Sequence, residues 1–476
     1  MGVKELWSIL EPVKKKQTLS DLSNKTLCVD LSFWVCEALH AKELSSHVNK
    51  PHLRNLFYRF CNLTRFRVKL VFVLDGKPPE LKWEAMKRRN EATREGPSRN
   101  NSAENLRIEG SYFAECVREC CTLLELLGVP CIRSEGEAEA LCALLNFHQV
   151  VDGCITNDGD ALLYGARTVY KDLSASRRDS CVFCYKMDDI ERDLSLNRDN
   201  LVAFAVLVGC DYLPQGVQGV GKKKAMELIS TVNHSSLLDR FDEWTKESCE
   251  DDSLSKIERK IKGKALKDND FARRKAQVIE EYYRYTESKE PPQVSFQTTS
   301  PDLARLQEFC QNNLRWSAKK AREEVLPLIT NWQMTSLIEQ SSETLVQPQR
   351  IVKCGTKDKV ECYDIEWQNV KLSDSFPLTF ETTERRDLFH QVYPTHVAEF
   401  ESAEEAINSA KKSSRKRKQN AAKESNRIRK NRRGNPDGVH DQGQPFIDEM
   451  LKKRKSTQGG KNAESDKPIE IIEVSD

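Results

Sequence analysis

The feature that most constrains the fold is a set of three short, unbroken apolar runs that each lead into an acidic residue. They are Leu27-Cys28-Val29-Asp30, Leu70-Val71-Phe72-Val73-Leu74-Asp75 and Gly153-Cys154-Ile155-Thr156-Asn157-Asp158. Runs of this length, separated by helix-like segments, indicate strands of a parallel sheet that is covered on both faces. In an open α/β sheet the functional site lies beyond the carboxyl ends of the strands. We therefore expect Asp30, Asp75 and Asp158 to converge.

Four further acids extend this set. Glu137 and Glu139 come from Gly136-Glu137-Ala138-Glu139-Ala140, Asp160 follows Asn157-Asp158-Gly159, and Asp211 ends Gly209-Cys210-Asp211. A single acid at a strand end is more often a helix cap or a solvated turn residue. Several acids in one crevice would repel and raise one another's pKa values unless hard divalent cations with oxygen ligands neutralise them. Two such ions about 4 Å apart can activate a water and stabilise the leaving oxygen of a phosphodiester.

Residues two apart point to different sides of a helix, so Glu137 and Glu139 can share a metal site only from a first turn. Ser134-Glu135-Gly136 directly upstream supports a helix that begins there. The sequence contains no P-loop, no Gly-x-Ser-x-Gly, no His-Glu-x-x-His and no dinucleotide-binding fingerprint. Phosphodiester hydrolysis is therefore the chemistry that the motifs favour.

Two basic segments accompany the acids. Gly216-Val217-Gln218-Gly219-Val220-Gly221-Lys222-Lys223-Lys224-Ala225 predicts a glycine-rich hairpin and a helix that begins near Lys222. Backbone N–H groups at such a helix start, with Lys222, Lys223 and Lys224, would bind phosphate; the alternative is a turn followed by a solvated lysine face. Lys82, Lys87, Arg88 and Arg89 follow Asp75-Gly76-Lys77-Pro78-Pro79. They predict a clamp on a substrate phosphate, the alternative again being a solvated helix face.

Composition divides the chain unevenly. The 38% hydrophobic content supports a core over only part of 476 residues, while 75 basic and 73 acidic residues nearly cancel. Sixteen cysteines without an N-terminal apolar segment predict a reducing compartment and no disulfides, and the close pair Cys181 and Cys184 is interpreted as strand residues rather than a zinc site. No apolar run is long enough to span a membrane, so we expect a soluble, intracellular protein.

The boundaries that we predict follow changes in apolar periodicity and charge. Residues 91–110 have few apolar positions and predict a mobile loop, whereas a β pattern starts near residue 348 and a charged, apolar-poor tail near 405 predicts disorder. The predicted regions are 1–90 (first α/β region), 91–110 (mobile loop), 111–198 (second α/β region), 199–235 (glycine-rich hairpin between helices), 236–345 (helical completion), 346–404 (small β-rich module) and 405–476 (disordered basic tail).

Across roughly residues 1–340 the chain resembles the XPG family of structure-specific nucleases. The resemblance implies a PIN-like α/β core with a central, mainly parallel sheet flanked by helices and a helix-two-turn-helix that grips duplex DNA. The motifs that carry it are Met1-Gly2-Val3, Val29-Asp30, Asp75-Gly76-Lys77-Pro78-Pro79, Gly136-Glu137-Ala138-Glu139-Ala140, Asn157-Asp158-Gly159-Asp160 and the segment from Gly209 to Ala225.

The same resemblance implies roles for individual residues. Asp30, Asp75, Glu137 and Glu139 would hold one Mg²⁺ ion and Asp158, Asp160 and Asp211 the other, with one or more acids shared and Mn²⁺ as a substitute. Lys82 and Arg89 would contact the scissile phosphate, and a K⁺ ion would bind backbone carbonyls of the helix-two-turn-helix. The residues that we expect to contact DNA are Gly2, Lys87, Arg88, Gly216, Gly219, Gly221, Lys222, Lys223 and Lys224.

Within the family the chain looks most like the GEN branch, the eukaryotic Holliday-junction resolvases. The evidence lies in Leu6-Trp7-Ser8-Ile9-Leu10-Glu11-Pro12, in Leu31 to Glu37, in Lys50 to Phe57, and in a chromodomain-like module after the core. This implies paired symmetric nicks across four-way junctions by two subunits that assemble on DNA, cutting of 5′ flaps by the free monomer, and a place in homologous recombination and repair. It also implies that residues 1–90 and 111–198 are the two nuclease regions and that residues 91–110 form a flexible arch near the active site. A dedicated 5′-flap nuclease or 5′ exonuclease, and a non-catalytic DNA or chromatin adaptor, are the alternatives.

The module and the tail carry weaker signals. Tyr363, Trp367 and Phe376 could form a cage for methyl-lysine, although a small β module needs core aromatics in any case. Basic clusters in the tail, including Arg415-Lys416-Arg417-Lys418, predict nuclear import or a DNA tether and hence a nuclear protein. Ile469-Glu470-Ile471-Ile472-Glu473-Val474 fits a SUMO-type strand-addition motif, the alternative being an ordinary acidic end.

Overall fold

The computed structural model describes most of the chain up to residue 432. The described residues are 2–40, 49–83, 102–174, 180–232, 237–244, 254–286, 290, 294, 296, 298–339, 344–357 and 359–432, without the side chains of 102–110, 414–419, 421–422 and 425–432.

The strands of the described residues form two sheets. A seven-stranded sheet has the order β1-β7-β6-β5-β2-β3-β4, and a three-stranded sheet has the order β10-β9-β8. The strands are β1 Lys15–Thr18, β2 Thr26–Asp30, β3 Lys69–Leu74, β4 Cys131–Arg133, β5 Gly153–Ile155, β6 Thr168–Ser174, β7 Cys181–Lys186, β8 Val346–Lys357, β9 Val360–Asn369 and β10 Thr379–Arg385.

The helices surround the large sheet and extend beyond it. Two 3₁₀ turns, Glu11–Val13 and Leu19–Leu22, flank β1. The α-helices are α1 Leu6–Leu10, α2 Leu31–His40, α3 Pro51–Thr64, α4 Ser102–Leu126, α5 Ala138–Phe147, α6 Asp160–Leu163, α7 Met187–Leu194, α8 Arg198–Val208, α9 Lys222–Thr231, α10 Leu237–Glu243, α11 Lys256–Ala265, α12 Phe271–Tyr283, α13 Leu303–Leu314, α14 Ala318–Ile338, α15 Arg386–Val392 and α16 Pro394–Arg432.

Five neighbouring strands, β6-β5-β2-β3-β4, are parallel, as the apolar runs predicted. β2 pairs in parallel with β3 on one side and with β5 on the other, and β4 and β6 continue the parallel set. β7 runs opposite to these five strands, and β1 pairs antiparallel with β7. The chain continues from β2 to β3 on one side of β2 and later adds β5 on the other side. This change of direction opens a crevice at the carboxyl ends of β2 and β5. Asp30 ends β2 and Asp158 follows β5, so both lie at this crevice. The predicted α/β fold class is confirmed.

The apolar runs are unbroken because both faces of the sheet are covered. Along β2, Cys28 belongs to one buried cluster, whereas its neighbours Leu27 and Val29 belong to the other. Successive strand residues point to opposite faces, so a polar residue in either position would meet a helix rather than water. Cys181 and Cys184 both lie in β7, as the sequence predicted.

A helical layer follows the large sheet. The segment Leu201 to Val208 of α8 is buried throughout, as the sequence predicted. The chain then passes through a glycine-rich hairpin into α9, which begins at Lys222. Of the expected arch, residues 91–101 lie outside the described residues, and from Ser102 the backbone belongs to α4.

The small sheet packs on the preceding helices rather than standing apart. Its residues share a buried cluster with α13 and α14, and Thr330 Oγ1 donates a 2.5 Å hydrogen bond to Glu384 Oε1. Tyr363, Trp367 and Phe376 are all buried, and Trp367 Nε1 donates to Thr382 Oγ1 at 2.8 Å. The three aromatics are therefore core residues, which favours that interpretation over an open methyl-lysine cage.

The beginning of the tail differs from the expected disorder. Helix α16 continues to Arg432, and its described side chains from residue 401 to 413 are exposed. Alanine, glutamate, lysine and arginine are strong helix formers, so propensity maintains a helix where no apolar face exists to bury. Arg415–Lys418 lie on this helix but their side chains, and the whole of residues 433–476, lie outside the described residues. No helix within the described ranges is long and apolar enough to cross a membrane.

Candidate active site

All seven predicted acids lie at one edge of the large sheet. Asp30 ends β2, Asp75 follows β3 and Asp158 follows β5. Glu137 immediately precedes α5, and Glu139 lies in its first turn. Both therefore lie at the start of the helix, as a shared metal site requires. The remaining two are Asp160, the first residue of α6, and Asp211, which follows α8.

The acids are close enough to perturb one another. Burial, and then the charge of Asp75, raise the pKa of Asp30 to about 8. Burial, and then the charges of Asp158 and Asp211, raise the pKa of Asp160 well above its ordinary value. The pKa of Glu139 rises in the same way through burial and the charge of Asp158. Because several of these side chains are withdrawn from water, their mutual repulsion is poorly screened.

Backbone hydrogen bonds fix three of the carboxylates. Phe33 N donates to Asp30 Oδ1 at 3.0 Å, Ala138 N to Asp75 Oδ1 at 2.9 Å and Asp160 N to Asp158 Oδ1 at 3.1 Å. Each of these bonds satisfies an N–H at or near a helix start. The same acids therefore cap helix starts and also converge in one crevice, whereas the sequence pattern had presented these as alternatives.

Lys82 lies among the acids. Its Nζ is 2.6 Å from Glu137 Oε1 and 3.8 Å from Asp211 Oδ2. Burial disfavours the charged ammonium, but the carboxylates of Glu137 and Glu139 outweigh burial and raise the pKa of Lys82. Lys82 therefore remains charged at the crevice. The other predicted clamp residues, Lys87, Arg88 and Arg89, lie outside the described residues.

The acids do not form a closed coordination sphere. Over the residues that the structure describes, no group of three or more His, Cys, Asp or Glu side chains is arranged as a ready-made metal site. Asp160 is 2% exposed, and its Oδ1 atom has no hydrogen-bond partner in that part of the chain. A buried, unpartnered carboxylate oxygen is costly, and hard divalent cations take carboxylate oxygens. The crevice therefore fits a metal by its donor chemistry.

The N-terminus reaches the same crevice. Gly2 has a φ of +75°, and a Cβ at this position would lie 1.9 Å from Asp158 Oδ1 and 2.7 Å from Asp160 Oδ1. Only glycine therefore fits here without displacing two of the acids. Lys4 N donates to Gly209 O at 3.1 Å, which connects the N-terminal segment to the loop that leads to Asp211.

The glycine-rich hairpin presents an open helix start. Gly216 and Gly219 have positive φ values of 54° and 71°, and a Cβ added at Gly221 would meet nothing within 4 Å. Gly219 O accepts hydrogen bonds from Lys224 Nζ at 2.8 Å and from Lys264 Nζ at 2.9 Å. Lys223 is exposed, while Lys222 Nζ donates to Ser8 Oγ at 2.9 Å. The three lysines lie in the first turn of α9, next to the open space at Gly221, which leaves room for a phosphate.

Three buried tyrosines next to the acids were missed in the sequence. Tyr212 and Tyr164 donate to Glu137 Oε2 at 3.0 and 3.3 Å, and their hydroxyl groups also contact each other. Tyr282 donates to Asp160 Oδ2 at 3.1 Å. Tyr212 directly follows Asp211, which was a usable signal. Tyr282 had none, because 122 residues separate it from Asp160.

Comparisons with known proteins agree with this geometry. Residues 1–96 match the XPG N-terminal domain, residues 128–211 the XPG I-region, and residues 347–402 the chromatin organization modifier domain 2. The chain is 37% identical to mouse (Mus musculus) Flap endonuclease GEN homolog 1 over 481 residues, or 88% of this chain and 52% of that protein. It thus spans about half the length of this relative. It is 31% identical to Arabidopsis thaliana Single-strand DNA endonuclease 1, covering 84% of this chain and 72% of that protein.

A solved structure matches the fold and most of the chain. The crystal structure of human GEN1 in complex with Holliday junction DNA covers 86% of this chain and all of that chain, with a TM-score of 0.72 and 38% identity. The fold and the acidic crevice define a protein with an α/β nuclease core and an appended chromodomain-like module. The chain belongs to the XPG family, and its relatives place it in the GEN branch, as the motifs predicted.

Proposed function

We propose that the chain is a structure-specific DNA endonuclease that resolves Holliday junctions by paired symmetric nicks and cuts 5′ flaps. The observation that carries this proposal is the single crevice in which seven acids and Lys82 lie together at the carboxyl edge of the sheet. The relatives support the reaction class, because their names describe flap endonucleases and a single-strand DNA endonuclease.

Nucleases of this family depend on metal ions, and the crevice supplies suitable ligands. Asp30, Asp75, Glu137 and Glu139 would hold one divalent ion and Asp158, Asp160 and Asp211 the other, with Mg²⁺ preferred and Mn²⁺ as a substitute. When bound, the two ions activate a water and stabilise the leaving oxygen.

The protein groups around the acids orient and neutralise the substrate. Lys82 is charged and its side chain is partly exposed, so its ammonium group can leave Glu137 and bind the scissile phosphate when DNA enters the crevice. The backbone bonds to Asp30, Asp75 and Asp158 keep these carboxylates in place during that exchange. Gly2 approaches Asp158 and Asp160 so closely that a Cβ would displace them, so the absence of a side chain keeps these carboxylates in position.

The glycine-rich hairpin and α9 would hold the duplex arm of a branched substrate. Their N–H groups and lysines contact phosphates without reading bases, so selection rests on DNA shape. A K⁺ ion would bind carbonyl oxygens of this hairpin; Gly219 O already accepts two ammonium groups, which supports an attraction for monovalent cations. We expect binding of four-way junctions, 5′ flaps and replication forks, with a monomer in solution and a homodimer on junctions.

The biological setting follows from the same proposal. Junction and flap cutting belong to homologous recombination and DNA repair, and the basic tail would direct the protein to the nucleus. Replacing Arg415–Lys418 by alanine in a fluorescent fusion should shift it to the cytoplasm, whereas unchanged nuclear signal would contradict this role.

SUMO binding by Ile469–Val474 should disappear in a pull-down after that segment is deleted.

The cleavage experiment compares an immobile four-way junction, a 5′ flap and a plain duplex, each end-labelled, with Mg²⁺. We expect paired symmetric nicks in the junction, one cut in the flap, and no cutting by the Asp30→Asn or Asp158→Asn protein. Flap cleavage with an intact junction would instead identify a dedicated flap nuclease. Junction binding without any cleavage would support the non-catalytic adaptor.

A further inference from the structure

A tyrosine cluster, which consists of Tyr164, Tyr212 and Tyr282, contacts two of the acids, Glu137 and Asp160. The rings of Tyr164 and Tyr212 lie edge-on to the ring of Tyr282, with centroids 5.1 and 5.4 Å away. All three are buried, yet each hydroxyl group reaches a carboxylate. Packing alone would be served equally well by phenylalanine, so the hydroxyl groups require a separate explanation.

Tyr282 comes from a distant part of the chain. It lies in α12, outside the two segments, 1–96 and 128–211, that match the nuclease domains of the family. Arg198 fixes the end of this helix against α6, since its Nη2 donates to Tyr282 O at 2.6 Å and its Nε to Leu163 O at 2.7 Å. The hydroxyl group of Tyr282 is therefore held in a defined position relative to Asp160.

The two oxygens of Asp160 have different surroundings. Oδ2 accepts the hydrogen bond from Tyr282, whereas Oδ1 has no hydrogen-bond partner among the described residues. Oδ1 lies on the side of Gly2 and of Asp158 Oδ1, since a Cβ at Gly2 would be 2.7 and 1.9 Å from these two oxygens. One oxygen is thus fixed by a hydroxyl group and the other is left for a ligand. Such outer contacts orient metal ligands and often change metal affinity 10- to 100-fold.

We propose that Tyr282 is a positioning residue that holds Oδ2 of Asp160 so that Oδ1 faces a divalent cation in the crevice. This inference rests on the proposed function, because it assigns a task to the same metal site. It also gives the helical region after residue 236 a direct role at the acids, where the sequence had shown none.

Glu137 provides an internal comparison. Its Oε2 accepts from both Tyr212 and Tyr164, so the loss of one hydroxyl group leaves a second donor in place. For Asp160, Tyr282 is the side-chain donor that the structure shows. We therefore expect the Tyr282→Phe change to weaken metal binding more than the Tyr212→Phe change.

The experiment measures Mn²⁺ binding to the full chain without DNA, by the loss of the free-ion signal in electron paramagnetic resonance. Tyr282→Phe keeps the ring and its packing and removes only the hydroxyl group. Tyr170→Phe is the control, because Tyr170 is also buried but its hydroxyl group accepts from Lys25 at 2.7 Å. We expect the Kd for Mn²⁺ to rise about 10-fold in Tyr282→Phe and to stay unchanged in the control. Saturating Mg²⁺ should then restore most of the cleavage rate.

Two outcomes separate this inference from the proposed function. A wild-type chain that binds Mn²⁺ and cuts a junction, together with an unchanged Kd in Tyr282→Phe, would overturn the positioning role alone. A wild-type chain that neither binds Mn²⁺ nor cuts DNA would overturn both. If Tyr282→Phe alters stability, a double-mutant cycle with Asp160→Ala decides the matter: coupled effects on Kd support the contact, and additive effects refute it.

Discussion

The ammonium group of Lys82 lies 2.6 Å from Glu137 Oε1 and 3.8 Å from Asp211 Oδ2, and so forms a cationic bridge inside an acidic crevice. Lys82 follows β3, Glu137 precedes α5 and Asp211 follows α8, so one side chain joins three separate segments. A cation is needed here because neighbouring buried carboxylates repel one another. The same ammonium group is also near enough to neutralise a phosphate that enters the crevice.

Replacing Lys82 by methionine should lower the single-turnover cleavage rate by about 10²- to 10³-fold, because a preorganised cation at the scissile phosphate is lost. DNA affinity should change much less, since we propose that the glycine-rich hairpin and α9 bind the phosphates along the duplex arm. Lys69→Met is the matched control, because Lys69 pairs with Glu339 on the surface at 2.6 Å. A cleavage rate unaffected by Lys82→Met would remove this residue from the reaction.

The stability of the metal-free protein should fall as the pH rises. Burial and Asp75 raise the pKa of Asp30 from 3.8 to about 8, so between these values the folded protein retains a proton that the unfolded chain has lost. The free energy of unfolding therefore decreases through this window. Thermal unfolding in EDTA at a series of pH values should show this decline, and Asp30→Asn should make it shallower, because Glu139 and Asp160 still contribute to it. Saturating Mg²⁺ should also flatten it, because a bound cation replaces the proton.

The Gly2→Ala change should reduce the cleavage rate by at least about 10-fold. A shift of a metal-binding carboxylate from its place lowers the rate by this factor or more. The added Cβ would lie 1.9 Å from Asp158 Oδ1 and would force that carboxylate to move. Gly263→Ala is the control, since a Cβ there meets nothing within 4 Å and lies inside α11. The control should cut normally and be slightly more stable. Equal cleavage by both variants would contradict the close approach of Gly2.

Replacing Lys222, Lys223 and Lys224 by alanine should weaken binding to flaps, junctions and plain duplex alike, because the proposed lysine contacts are to phosphates, which all three substrates share. The slope of log K against log salt concentration should become shallower by roughly one unit for each lost phosphate contact. Lys319→Ala, at a side chain that is 83% exposed, gives the baseline for a change of surface charge. An unchanged slope in the triple variant would support a merely solvated lysine face.

Much of the site could be predicted because its signals are local. The apolar run and the acid that ends it are neighbours in sequence, as in Val29-Asp30, and parallel strands necessarily bring such ends to one edge. The first-turn position of Glu139 also followed from the residues upstream of α5. The tail was less predictable, because α16 depends on helix propensity in a segment whose composition is equally typical of disorder.

The sequence by itself determined the strands, the acids at their ends and the glycine-rich start of α9, because each is a short-range pattern of side-chain type and backbone freedom. Only the tertiary structure decided which partners those acids have. Tyr282 meets Asp160 across 122 residues, and Lys82 meets both Glu137 and Asp211, through the packing of separate helices. Such contacts leave no periodic signal in the chain, since a hydroxyl or an ammonium group finds a buried carboxylate only after the core has fixed the backbone positions of both.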